Sequence, residues 1–361
     1  MPDLASRPLI IGGMHRSGTS LTASLLASAG IDLGPELLGA SPSNPLGHFE
    51  DVGFYEFHRR ALVAQGIVSE GYTATSRGSV PAALEAEARG LVAARQLRGV
   101  AWGWKEPRTT LFLDFWKSAL PDARCVFVFR RPWEVADSLF RRGDQAFGLD
   151  PCFAFDVWTH YNRLILDFAR RHPTTSVVFE ISQIIADPDA AIEAVRSRLD
   201  VPLESPGPQY REALFTSRTG AAHADLVRSI APEAWRTYLD LRDLAGAVDA
   251  LPTQRGRSVS GGPGAVAAWA RSSRPGVGPA HQVDAGPSPH VVGPAQRVES
   301  GDGRRRGSRG EPTRTVNRAS IRVFDGIVAA ARRLRLGRLP VASATPPDVR
   351  PFVRAAETRA A

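Results

Sequence analysis

The chain is poor in cysteine and in long apolar runs, and each shortage excludes a class of protein. Its two cysteines, Cys125 and Cys152, are too few for a disulfide framework or a paired-cysteine metal site. No stretch approaches the roughly 20 apolar residues of a membrane-spanning helix. Residues 1–7 lead into only four apolar residues before a glycine, which is not a signal-peptide pattern. We therefore expect a cytoplasmic protein.

Positive charge is concentrated near the C-terminus, although the whole chain has a net charge of +8. Residues 251–361 contain 19 arginines and 7 acidic residues, whereas residues 1–250 contain 26 basic and 30 acidic residues. Because the larger part of the chain is slightly acidic, its charge does not favour binding to nucleic acid. We expect no specific nucleic-acid partner.

Residues 1–249 alternate short apolar runs with helical patterns, which is typical of an α/β domain with a parallel sheet. The predicted strands are Leu9–Gly12, Val100–Trp104, Cys125–Phe129 and Ser176–Phe179. The predicted helices are Thr19–Ala29, Gly53–Ala64, Ala82–Arg98, Thr110–Ala119, Pro132–Arg141, Phe153–Arg171, Pro188–Leu199 and Pro232–Ala250.

The remainder of the chain has a different composition. Residues 250–318 are rich in glycine, proline and arginine and hold few large apolar residues, which predicts a disordered linker. Residues 319–340 combine apolar residues at helical spacing with several arginines. This pattern indicates a basic amphipathic helix that contacts an anionic membrane surface, docks on its own domain or is a marginal, solvated helix. Residues 341–361 are predicted to be a disordered tail.

The first predicted strand runs directly into a glycine-bounded loop, Gly13-Met14-His15-Arg16-Ser17-Gly18, and then into a helix. Backbone N–H groups and the positive end of the helix dipole meet at such a loop, so it predicts a phosphate or sulfate site. Thr19 follows Gly18 where a nucleotide triphosphatase loop requires lysine. The only cation in the loop is Arg16, which disfavours a nucleotide triphosphatase.

The segment Arg16-Ser17-Gly18-Thr19-Ser20 resembles the 5′-phosphosulfate loop of sulfotransferases that use 3′-phosphoadenosine-5′-phosphosulfate (PAPS). Arg130-Arg131-Pro132, followed by Ser138, resembles their 3′-phosphate motif, and Lys105-Glu106-Pro107 resembles their Lys-x-Pro stretch. The resemblance covers roughly residues 7–204. It implies a P-loop NTPase-like three-layer α/β fold with a central parallel sheet, followed by a disordered C-terminal extension.

The resemblance also implies roles for individual residues. Arg16 and Lys105 would stabilise charge during transfer, with no metal ion. A general base is expected in the segment before the second helix, where we rank Glu50 above His48 and His48 above Asp51. Asp51 could instead cap that helix, and Glu180 is expected to be structural. The residues expected to bind PAPS are His15, Arg16, Ser17, Gly18, Thr19, Ser20, Lys105, Arg130 and Ser138.

The predicted function is transfer of the sulfuryl group from PAPS to an acceptor hydroxyl by in-line displacement. The expected acceptor is a small molecule or glycan, with a carbohydrate or glycolipid favoured by the resemblance. Two alternatives stay open at this point: a P-loop kinase acting on a small molecule or nucleotide, and a non-catalytic nucleotide-binding protein. The basic helix at 319–340 would allow the cytoplasmic protein to contact the inner face of the membrane.

Overall fold

A four-stranded parallel β-sheet forms the centre of the computed structural model, which describes residues 7–41, 47–75, 78–206, 219–246 and 262–273. The strand order across the sheet is β2-β1-β3-β4, and every neighbouring pair is parallel. All four strands therefore end at the same edge of the sheet. The strands are β1 (Leu9–Gly12), β2 (Gly103–Lys105), β3 (Arg124–Phe129) and β4 (Ser176–Glu180).

Twelve α-helices surround the sheet in the described part of the chain, and a 3₁₀ helix spans Pro107–Phe112. None of the described helices is long and apolar enough to cross a membrane. The α-helices are α1 (Thr19–Ser28), α2 (Val52–Val63), α3 (Ala82–Gln96), α4 (Leu113–Ala119), α5 (Pro132–Arg142), α6 (Gln145–Leu149), α7 (Phe153–Arg171), α8 (Ile181–Ala186), α9 (Pro188–Leu199), α10 (Ala221–Ile230), α11 (Pro232–Ala245) and α12 (Pro263–Ser273).

Both faces of the sheet are covered, because successive strand residues point to opposite sides. Ile11 and Val126 lie in a core with buried residues of α1, α8 and α9. Ile10 and Phe127 lie in a second core with buried residues of α2, α5, α7 and α11. This arrangement confirms the predicted three-layer α/β fold.

Three predicted elements differ from the structure by three residues or more at a boundary. Strand β2 begins at Gly103 rather than at Val100. The predicted helix Thr110–Ala119 is a 3₁₀ helix that continues into α4, because the N–H of Thr109 bonds to the carbonyl three residues earlier. Helix α11 ends before residue 250, because Gly246 adopts a left-handed φ of 65°.

The prediction of disorder over residues 250–318 is wrong for α12. Val266, Trp269 and Ala270 recur at helical spacing and are buried. Trp269 packs against Phe140 and Phe155, at ring-centroid distances of 5.4 and 6.2 Å. Average composition conceals such a short amphipathic segment within a glycine-rich stretch. The remainder of the predicted linker, the predicted helix at 319–340 and the tail at 341–361 lie outside the described residues.

Asp51 links helices α2 and α3. Its carboxylate caps α2 by accepting the backbone N–H groups of Gly53 at 2.8 Å and Phe54 at 3.4 Å. It also accepts two hydrogen bonds from the guanidinium of Arg95 in α3, at 2.7 and 2.8 Å. Because Asp51 is buried, this one carboxylate fixes the start of α2 and the position of α3 together.

We expect Asp51→Ala to lower the free energy of unfolding by about 2–4 kcal/mol, because it removes a helix cap and leaves a mostly buried arginine unpaired. Urea unfolding measures the change. Glu85→Ala is the control: it breaks an exposed ion pair with Arg89 on α3, worth at most about 0.5 kcal/mol. Equal losses in the two variants would contradict the role assigned to Asp51.

Candidate active site

The loop between β1 and α1 contains residues with left-handed backbone conformations. Arg16 and Gly18 have φ values of 68° and 98°. The loop closes through a hydrogen bond from the N–H of Ser17 to the carbonyl of Met14, at 3.2 Å. Gly18 precedes the first residue of α1, and the first turn of that helix contains no acidic residue. The positive end of the helix dipole is therefore available for an anion.

Two polar atoms of the loop are enclosed and have no hydrogen-bond partner among the described residues. They are His15 Nε2 and Ser17 Oγ. Leaving a polar atom buried and unpaired costs free energy, so these atoms favour a ligand that would supply the missing hydrogen bonds. Ser17 is fully buried, and its hydroxyl can donate to a phosphate or sulfate oxygen.

Arg16 connects the loop to helix α5. Its Nε donates to Ser138 Oγ at 2.9 Å, so the two anion-binding motifs of the sequence are in direct contact. Burial and the cations Arg142, Arg130 and Arg141 together lower the pKa of Arg16 to about 10. Arg16 is therefore still protonated at neutral pH. These three arginines add to the positive charge around Arg16, and Asp144 opposes them.

Arg130 follows the last residue of β3 and is mostly buried. Its backbone carbonyl accepts a hydrogen bond from the indole N–H of Trp158 at 3.0 Å. Its Nε donates to Glu134 at 2.8 Å, one turn into α5. These contacts fix the guanidinium beside the N-terminus of α5, at the carboxyl edge of the sheet where ligands of open α/β sheets bind.

Lys105 and Glu50 form a buried ion pair. Lys105 Nζ lies 2.6 Å from Glu50 Oε1, and the two residues are only 1% and 5% exposed. Lys105 is the last residue of β2, whereas Glu50 lies in the extended segment that leads into α2. The fold thus places the predicted charge-stabilising lysine and the first-ranked base side by side.

The backbone of His48 contacts the first turn of α1, directly after the loop. Its carbonyl accepts a hydrogen bond from Ser20 Oγ at 3.1 Å, and its Nε2 is 3.0 Å from Ser41 Oγ. Burial lowers the pKa of His48, and the nearby cations Lys105 and Arg16 lower it further against the opposing effect of Glu50. His48 is thus near the site, whereas Asp51 is occupied by helix capping and by Arg95.

The surroundings of His15 are formed by residues that the sequence did not indicate. Its ring packs edge-on against Tyr72 and Tyr161, with centroid distances of 5.6 and 6.3 Å. Arg142 hydrogen-bonds to the Tyr72 hydroxyl, and its Nε donates to Asp144 at 2.6 Å. Burial, with Arg108 and Arg142, lowers the pKa of His15 well below its usual value. The sequence gives no indication of these contacts beyond the two adjacent arginines, Arg141 and Arg142.

A buried polar cluster surrounds Glu106, the residue that follows Lys105. Glu106 binds Arg108 and is 3.1 Å from His58, whose Nε2 accepts the indole N–H of Trp116 at 2.9 Å. Burial opposes ionisation of Glu106, but Arg108 and His58 hold its pKa below the usual range. Arg108 also donates to the carbonyl of Ser69 at 2.7 Å. The cluster therefore anchors the chain segment that carries Tyr72.

Glu180 has a structural position. It accepts a hydrogen bond from Arg131 Nε at 3.0 Å and forms the N-terminal capping box of α8 with Gln183. The hydroxyl of Tyr238 lies 3.4 Å from Glu180 Oε1.

Ile181, the residue after Glu180, packs against the anion loop at Gly18. A Cβ atom at Gly18 would lie 2.5 Å from the Ile181 side chain.

Gly18→Ala is expected to lower the free energy of unfolding by about 2–4 kcal/mol, because it combines a left-handed φ with a collision against Ile181. The matched control is Gly30→Ala, which has a similar φ of 105° but open space around its Cβ position. Thermal and urea unfolding compare the two variants. A cost for Gly18→Ala no larger than that for Gly30→Ala would show that the close approach to Ile181 is unimportant.

The family model described as "Sulfotransferase family" matches residues 8–205. No curated protein gives a significant match. Among solved structures, the sulfotransferase STF9 from Mycobacterium avium has a TM-score of 0.40 and 16% identity, over 69% of this chain and 78% of that chain. The sulfotransferase domain of the Synechococcus PCC 7002 olefin synthase has a TM-score of 0.37 and 20% identity, over 68% of this chain and 97% of that chain.

The family match spans the whole described sheet and every predicted site residue. It starts immediately before β1, includes the anion loop, Lys105, Arg130 and Ser138, and ends after α9. With more than half of the chain matched, this protein belongs to the sulfotransferase family.

Proposed function

We propose that the protein transfers a sulfuryl group from PAPS to the hydroxyl of an acceptor. The observation that supports this most directly is the contact between Arg16 and Ser138. It brings a loop suited to one anionic group into contact with a helix whose arginine and serine suit another. A donor with phosphate groups at both ends of its nucleoside requires two such anion sites close together.

The loop fits the phosphosulfate end of this donor. Ser17 Oγ and His15 Nε2 lack partners among the described residues, and the N-terminus of α1 supplies backbone N–H groups. Thr19 and Ser20 begin that helix, and Thr19 is buried. We assign these residues, with Gly18 and Arg16, to the binding of the 5′ end.

The start of α5 fits the 3′-phosphate. Arg130 offers a planar set of N–H donors and Ser138 a hydroxyl, and both are held at the carboxyl edge of the sheet. Their present partners, Glu134 and Arg16, hold them in place. We therefore assign Arg130 and Ser138 to the phosphate that distinguishes PAPS from an ordinary nucleotide.

The bound donor supplies an electrophilic sulfuryl group and a phosphate leaving group. Arg16, protonated at neutral pH, would stabilise the negative charge that develops on the leaving oxygen. Lys105 would stabilise the oxygens of the group in transfer. Both cations are preorganised, Lys105 by Glu50 and Arg16 by Ser138, so little reorganisation is needed during the reaction.

Glu50 is our candidate for the general base. It is buried, its Oε1 lies 2.6 Å from Lys105 Nζ, and a carboxylate at this position can accept the proton of an acceptor hydroxyl. His48 is the second candidate, with a lowered pKa that leaves its ring neutral at neutral pH. We propose a carbohydrate or glycolipid hydroxyl as the acceptor, in line with the family resemblance of the sequence.

Calorimetry with adenosine 3′,5′-bisphosphate tests the donor assignment. We expect micromolar binding without Mg²⁺, and Arg130→Ala should weaken it roughly 30- to 100-fold, because a charge-assisted contact to phosphate is lost. Binding of adenosine 5′-phosphate should change little in this variant. Arg131→Ala is the matched control, since the neighbouring arginine binds Glu180 instead.

Two results would count against the donor assignment. If the wild-type protein binds both nucleotides equally, it does not recognise a 3′-phosphate. If it binds ATP only with Mg²⁺ and ignores the bisphosphate, a kinase is the better interpretation. A loss of 3′-phosphate preference in Arg131→Ala but not in Arg130→Ala would exchange the roles of the two arginines.

The base is tested by Glu50→Gln, which preserves shape and removes the proton-accepting carboxylate. With ³⁵S-labelled PAPS and an immobilised oligosaccharide and glycolipid array, transfer should fall by roughly 10²- to 10⁴-fold. Affinity for adenosine 3′,5′-bisphosphate should stay within about twofold, since this ligand lacks the sulfuryl group that Lys105, the partner of Glu50, is assigned to stabilise. His48→Ala is the comparison. A larger loss of transfer in His48→Ala than in Glu50→Gln would identify His48 as the base.

A further inference from the structure

Helix α12 lies beyond the family-matched residues, yet it packs directly on the helix that carries Ser138. Trp269 meets the ring of Phe140 from α5 edge-on, with a centroid distance of 5.4 Å, and lies 4.7 Å from the ring of His223. Val266 and Ala270 are also buried. The apolar face of α12 is therefore part of the protein core and holds the helix against α5.

The last residue of α12 makes a buried polar contact with α5. Ser273 Oγ donates to Asp137 Oδ1 at 3.0 Å. Asp137 is 2% exposed, and its second oxygen accepts from Arg141 Nε at 2.9 Å. Ser273 thus supplies a hydrogen bond to a carboxylate that has little access to water. Removal of the hydroxyl would leave Oδ1 without this partner.

Asp137 and Ser138 are adjacent on α5, but their side chains contact partners on different sides of the helix. Successive helical residues point about 100° apart. Asp137 contacts α12, whereas Ser138 contacts Arg16 in the anion loop. Arg141, the other partner of Asp137, adds to the positive charge around Arg16. A rotation or shift of α5 that accommodates an unpaired Asp137 would therefore also move Ser138 and Arg141.

We propose that Ser273 is a positioning residue for the donor site: through Asp137 it fixes α5 so that Ser138 stays in place beside Arg16. The inference rests on the proposed function, because Ser138 is assigned to the donor there. It extends the functional unit beyond residue 205, since a helix outside the family match then determines how well the 3′-phosphate is recognised.

The test compares the affinities for adenosine 3′,5′-bisphosphate and adenosine 5′-phosphate by calorimetry. Ser273→Ala should weaken bisphosphate binding roughly three- to tenfold, less than the loss of a direct contact to the ligand, because the lost hydrogen bond acts on the site only through α5. Binding of adenosine 5′-phosphate should stay within about twofold. Ser273→Thr, which keeps the hydroxyl, should restore the wild-type ratio of the two affinities.

Ser272→Ala is the matched control. Ser272 is the preceding residue of α12, but it is exposed and its hydroxyl bonds to the carbonyl of Trp269 in its own helix. It should leave both affinities unchanged. Thermal unfolding of each variant separates altered recognition from lost stability, because a merely structural role would lower the melting temperature without changing the affinity ratio.

A double mutant identifies the route of the effect. If Ser273 acts through Ser138, then Ser273→Ala should cause no further loss of 3′-phosphate preference in a Ser138→Ala background. Additive losses, or an unchanged affinity ratio in Ser273→Ala alone, would overturn the proposal and leave the proposed function standing. If the wild-type protein shows no 3′-phosphate preference, the donor assignment itself fails.

Discussion

The candidate active site depends on the pairing of buried charges. Parallel strands end at one edge of the sheet, where Lys105 and Arg108 lie at and just after the end of β2 and Arg130 just after the end of β3. A buried charge is costly unless a counter-charge or several hydrogen bonds accompany it. Each of these cations has a carboxylate partner, namely Glu50, Glu106 and Glu134. The carboxylates thus keep the basic groups ordered within reach of an anionic ligand.

Much of the fold could be predicted from the sequence because its signals are local. Apolar runs marked all four strands, and β1 was predicted with the bounds it has in the structure. The anion loop was indicated by glycines and a helix start within a few residues. The contact between Arg16 and Ser138 could not be predicted, since these residues are 122 positions apart and the local patterns specify neither side-chain direction nor strand order.

The unpredicted parts share a physical reason. Tyr72 and Tyr161 reach His15 only through tertiary packing, and no spacing in the sequence connects them. The short helix α12 was hidden because its stability comes from one buried tryptophan and a few small residues rather than from composition. Glu50 was ranked above Asp51 as the base from the resemblance, and their contacts separate them further: Glu50 meets Lys105, whereas Asp51 caps α2 and binds Arg95.

The adjacency of Glu50 and Asp51 has a consequence for sequence variation. Asp51 is fixed by its hydrogen bonds to the first turn of α2. Because Glu50 immediately precedes Asp51, its position relative to Lys105 is set by the start of that helix. Loss or gain of one residue between Glu50 and Val52 would put a different side chain beside Lys105. Changes in length upstream of His48 would leave the anchor in place. Relatives that keep this chemistry should therefore vary in length before this segment and keep a fixed spacing within it.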